Sequence, residues 1–132
     1  MTKAVPQVVP LDSVPPVPRD EAPTKVRIAR LVTKQRCGSD LLLGVCWMEP
    51  GDSTNWWSTE EQNTTADGEH YYGPLTEAYF VLRGRLRLSW TNGELEFGAN
   101  DAVSLPKGWR YRLECIGDVP AFLVYGFTPP PE

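Results

Sequence analysis

The chain of 132 residues has one histidine, His70. A site built from several imidazoles of one chain is therefore excluded. The three cysteines, Cys37, Cys46 and Cys115, form no CxxC pair, and one stays unpaired in any scheme. That argues against a secreted disulfide framework and for buried, reduced thiols. No basic cluster stands out in a chain of net charge −4, so no nucleic-acid partner is expected. No apolar run is long enough to span a bilayer, and the first residues show no signal region. No membrane partner is expected, and a cytoplasmic location is. Helical periodicity is missing throughout.

What the chain does have is proline, glycine and short alternating runs. Residues 1–23 carry Pro6, Pro10, Pro15, Pro16, Pro18 and Pro23, so neither a helix nor a central strand can cross them. They read as an arm ahead of one domain, residues 24–132. Its valines, with Leu11, give it more apolar surface than a disordered tail usually has. Lys25 to Lys34 reads as a strand. Asp40 to Met48 is apolar and of strand length, expected to be buried on both faces. Asp52 to Asp67 is polar and without period. It reads as a loop, a candidate lid through Trp56 and Trp57. Arg85 to Trp90 alternates strictly, turns at Thr91-Asn92-Gly93, and returns as Glu94 to Phe97. This hairpin sets Arg85 and Arg87 beside Glu94 and Glu96 as a solvated ladder. Turning Arg85 inward to hold a substrate anion is the alternative. Ala102 to Leu105, Trp109 to Cys115 and the apolar Ala121 to Phe127 complete the strands. The last reads as a buried strand. Many short strands with Gly and Pro turns indicate an all-β barrel or sandwich.

The chemistry gathers at Gly68 to Gly84, GEHYYGPLTEAYFVLRG. In extended chain His70 and Tyr72 share a face, and so do Glu77, Tyr79 and Val81. A carboxylate on an otherwise apolar strand is costly to bury without a metal, a cation or a shared proton. Glu77 is therefore the strongest candidate of the set.

This stretch resembles the first signature motif of the cupin superfamily, running H-x-Y-x4-E-x6-G from His70 to Gly84. Asn100 to Tyr111, NDAVSLPKGWRY, resembles the second motif, with Pro106 and Gly108 in place and Asn100 where the family has glycine. The resemblance implies a single-domain cupin jelly-roll barrel, commonly a homodimer. It implies a divalent metal ion (iron, zinc, manganese, copper or nickel) on His70, Tyr72, Glu77 and Tyr111. Two family histidines stand here as Tyr72 and Tyr111; ectoine synthase, a similar cupin, uses a Glu, Tyr and His set. The implied activity is metal-assisted proton transfer on a small polar substrate, of lyase, dehydratase, cyclase or isomerase type, with His70, Tyr72 and Tyr111 catalytic. Trp56, Trp57, Arg85 and Trp109 are the candidate substrate contacts. Two alternatives stand beside it. One is a metal-free enzyme using His70 as base and Tyr111 as acid. The other is a non-catalytic binding module with a tryptophan-lined pocket.

Overall fold

A computed structural model describes residues 5–20, 24–59, 70–71 and 74–130, with His70 and Tyr71 described by their backbone. The strands are β1 (Val17–Pro18), β2 (Arg27–Val32), β3 (Leu42–Met48), β4 (Trp57–Ser58), β5 (His70–Tyr71) and β6 (Thr76–Arg83). They continue as β7 (Arg85–Trp90), β8 (Gly93–Gly98), β9 (Ala102–Leu105), β10 (Arg110–Cys115) and β11 (Ala121–Thr128). Six strands pair in the order β1-β2-β3-β11-β6-β9, and five in the order β5-β4-β10-β7-β8. The two sheets face each other as a jelly-roll. Their inner faces supply the core, including Val81, Leu86, Leu88, Leu105, Leu113 and Leu123. Each such side chain contributes about 1.5–3 kcal/mol on burial. Among the described residues no helix is long and apolar enough to cross a membrane.

The glycines and Asn100 explain how the motifs turn. Gly84 has φ 94°, and a Cβ there would lie 2.6 Å from the Ala121 backbone. No other residue fits that corner between β6 and β7. Asn100 has φ 72°, and its N–H donates to the Val81 carbonyl at 2.8 Å. Asparagine is among the few residues that adopt this left-handed backbone at low cost. The β7–β8 hairpin forms as expected, with Arg85 3.4 Å and Arg87 3.2 Å from Glu96 across the strands.

Several expectations change. Residues 25–34 do not run as one strand: Lys34–Cys37 forms a one-turn helix, α1. Thr33 caps it, accepting the Arg36 N–H, and Gly38 closes it in left-handed backbone. A single capped turn has no room for a hydrophobic period, so none was visible. β3 is not buried on both faces, and the outer face of β11 is half-buried. Leu43 is exposed, while Trp47 and Phe122 are half-buried and stack at 5.4 Å on the outer face. An antiparallel sheet needs only one covered face. The first part of the supposed lid is pinned rather than free. Thr54 N–H donates to Leu113 O and Thr59 N–H to Trp109 O, so residues 53–59 track β10. Residues 60–67 of that segment lie outside the described residues. From the arm, Val17–Pro18 lies along the edge of β2 in its own barrel.

Candidate functional site

Strand register builds the site. Arg30, Gly44, Tyr125 and Tyr79 form one row across β2, β3, β11 and β6. Leu42, Phe127 and Glu77 form the next row. Gly44 is glycine for a steric reason: a Cβ there would come within 2.6 Å of the Tyr125 ring. The phenol uses that space to lie inside the barrel. From the opposite sheet comes Trp57, 1% exposed. Trp57, Glu77, Tyr79, Tyr125, Phe127 and Arg30, with Cys46 and Arg19, line a cavity of about 30 Å³. That is room for about one or two waters.

Arg19 arrives from the arm. Its backbone N–H donates to Val26 O at 2.9 Å, continuing the β1–β2 pairing. Its Nη1 donates to both carboxylate oxygens of Asp20, at 2.7 and 2.9 Å. Asp20 is buried and also accepts the Asn55 N–H at 3.0 Å. The guanidinium lies 4.8 Å from the Trp57 ring centroid, a cation–π distance. Asp20 therefore locks the arm to the barrel mouth and aims Arg19 inward. Sequence reasoning missed both residues. Their one signal was a pair of opposite charges inside an apolar, proline-rich arm.

Glu77 is 8% exposed and lines the cavity. Burial pushes its pKa up from 4.5 to about 7, while the positive charge of Arg19 and the Trp57 indole N–H pull it back. The indole faces the carboxylate without closing a hydrogen bond of good geometry. Glu77 thus changes protonation near neutral pH, which suits a group that must both take and give a proton. Tyr79 and Tyr125 line the same cavity. The alternation of β6 already placed Tyr79 beside Glu77; Tyr125 depended on sheet order and was not legible.

Tyr111, Trp56, Trp109 and Arg85 lie apart from this cavity. Tyr111 is buried, and its hydroxyl donates to Pro106 O at 2.7 Å. Burial and the nearby Glu77 push its pKa up to about 12. That phenol is committed to the backbone and does not line the Glu77 cavity. Trp56 sits under Arg110, 5.6 Å from its ring. Trp109 is 40% exposed in a separate apolar cleft with Trp90 and Leu95. Arg85 stays on the outer face with Glu96. His70 pairs through its backbone with Trp57 in parallel register, which sets it next to a cavity-lining residue. Its side chain, and all of Tyr72, lie outside the described residues.

A metal on the implied set fits poorly. Tyr111 would have to abandon its carbonyl and lose a proton held to about pH 12. Glu77 already faces a guanidinium charge. Among the described residues no group of three or more His, Cys, Asp or Glu side chains could hold a metal ion.

With this geometry in hand, solved structures give the comparison. A predicted oxalate decarboxylase of Thermotoga maritima superposes with TM-score 0.72 at 16% identity, covering 93% of this chain and 99% of its own. Ethanolamine utilization protein Q of Salmonella typhimurium gives 0.70 at 20% identity, covering 93% and 85%. The fold is the cupin fold. A third cupin-fold neighbour is Drosophila melanogaster CENP-C bound to CAL1, at TM-score 0.63 and 14% identity, covering 89% and 82%. No family model matches the chain, and no curated protein matches it. At these identities the likeness concerns fold; activity must be argued from the site.

Proposed function

We propose that this cupin-fold chain is an enzyme that transfers a proton on a small polar metabolite, in a reaction of isomerase or lyase type. The observation that carries the reading is Glu77, the one carboxylate lining the barrel cavity among the described residues. Its burial holds its pKa at about 7. Glu77 takes and returns the proton. Arg19 and Arg30, on the cavity wall, offer donors to a carboxylate or enolate oxygen of the substrate. Trp57 and the two tyrosines shape the space. The cavity holds about one or two waters, so a metabolite reaches Glu77 only by displacing the Arg19 guanidinium from its pairing with Asp20.

Metal assistance through His70, Tyr72, Glu77 and Tyr111 is the less favoured form of this reading, for the two reasons above. Metal analysis of the purified chain and of Glu77→Gln tests it directly. A pure binding role is the second reading, supported by a neighbour of this fold solved bound to a protein, CAL1. The working form we propose is a cytoplasmic homodimer. The outer face of the six-stranded sheet supports the dimer, since Leu43, Phe80 and Leu82 are exposed there beside the Trp47–Phe122 stack.

The test is a screen of small hydroxy and keto acids for isomerisation and elimination, repeated with Glu77→Gln. Turnover by the wild type that falls by about a hundredfold or more in the variant is the expected result. Full turnover by the variant overturns the role of Glu77. A wild type inert toward every compound but binding one tightly leaves the binding module standing instead.

A further inference from the structure

A second, larger space lies outside the barrel. Between the arm and β2 runs a groove of about 440 Å³, with Val14 and Val17 on the arm side and Ala29 on the strand side. β1 pairs with β2 only at Arg27 and Ile28, so the edge of β2 beyond Ile28 has no β1 partner. The groove opens along that edge. Three arginines line it, Arg19, Arg30 and Arg36, together with Thr33 and Gln35; among the described residues none that lines it is acidic. Arg19 is paired with Asp20, so Arg30 and Arg36 carry the positive charge of this wall in a chain of net charge −4. Arg19 and Arg30 also line the Glu77 cavity, so they form the wall between groove and barrel interior.

Arg36 is held in place. Its Nη1 donates to Arg30 O at 2.8 Å and to Leu31 O at 2.7 Å, capping carbonyls at the β2 edge. A guanidinium has five N–H donors, and those two bonds leave the Nε and Nη2 donors for another acceptor. A charged group fixed by backbone rather than by an acid keeps its field for a ligand.

We infer that this groove binds a small oxyanion, a carboxylate or a phosphate, between the N-terminal arm and the edge of β2. Arg30 and Arg36 meet its charge, and Arg19 links it to the barrel interior. Planar guanidinium groups match both anions in a bidentate way. The inference concerns binding and stands whether or not Glu77 turns a ligand over. On the proposed enzyme, the groove would be the route by which an anionic substrate reaches Glu77.

The experiment is isothermal titration of the full chain with succinate and, separately, with inorganic phosphate, repeated on Arg36→Gln and Gln35→Glu. Gln35→Glu adds an opposing charge to the wall while keeping the Arg36 cap, so it covers the case in which Arg36→Gln unfolds. Saturable binding of one anion, weakened about tenfold by Arg36→Gln and severalfold by Gln35→Glu, is expected. Whichever anion saturates names the ligand chemistry. Absence of saturable binding to both anions, or an affinity unchanged in both variants, overturns the inference. Turnover plays no part in the readout, so its failure and that of the Glu77 reading are separate results.

Discussion

Replacing Glu77 with glutamine should change how stability depends on pH. The carboxyl is moved from 4.5 to about 7, chiefly by burial. The folded chain therefore keeps a proton that the unfolded chain has already lost. Its stabilising effect is complete below about pH 4.5 and is lost as pH rises through about 7. From about pH 5 to pH 8 the wild type loses about 2–3 kcal/mol through this group. Glutamine has the same shape and no proton to lose, so Glu77→Gln keeps that stability. For a chain of this size the difference amounts to about 8 °C in Tm. Among the described residues, the charged and titratable groups around Glu77 are Arg19 from the arm, Arg30 on β2, Cys46 on β3, Tyr79 on β6, Tyr111 on β10 and Tyr125 on β11. All are present in both proteins, so their contributions cancel in the difference. A His70→Asn background removes the chain's single imidazole from the comparison. The assay is thermal unfolding of both proteins at closely spaced pH values. The variant's Tm should overtake that of the wild type steadily as pH rises. Parallel curves refute the buried, proton-holding Glu77. A variant that falls further behind with rising pH means that the carboxylate is ionised and held by Arg19.

Tyr111→Phe should leave the Pro106 carbonyl without its 2.7 Å donor and cost about 1–2 kcal/mol in urea unfolding. Turnover should change by less than about threefold; a loss like that of Glu77→Gln would return Tyr111 to the chemistry. Gly84→Ala should be among the most damaging small substitutions, at about 3 kcal/mol or more. It combines φ 94° with a Cβ 2.6 Å from the Ala121 backbone. A variant as stable as the wild type would show that the corner relaxes freely.

The one-dimensional pattern left unmarked the short β1 and β4 and the turn of helix after β2. It marked the longer strands, the hairpin at Thr91–Asn92, the corner glycines and the left-handed tolerance of Asn100. Each depends on alternation or on backbone freedom, and both are local properties of the chain. It also put Glu77, Tyr79 and Val81 on one face of β6; the packing of the two sheets made that face the inner one. Tertiary structure decided the site's other members. Tyr125 and Arg30 join Glu77 because β11 and β2 lie in that sheet in that order, with Gly44 leaving space for the phenol. Arg19 joins because Asp20 is anchored by the Asn55 backbone, a contact 35 positions away in sequence. Tyr111 matched the motif yet turned to a carbonyl five residues back, a hydrogen bond set by the Pro106–Gly108 turn. Residue spacing shows which groups can share a face. Which faces meet, and which donor reaches an acceptor first, depends on the packing of the whole barrel.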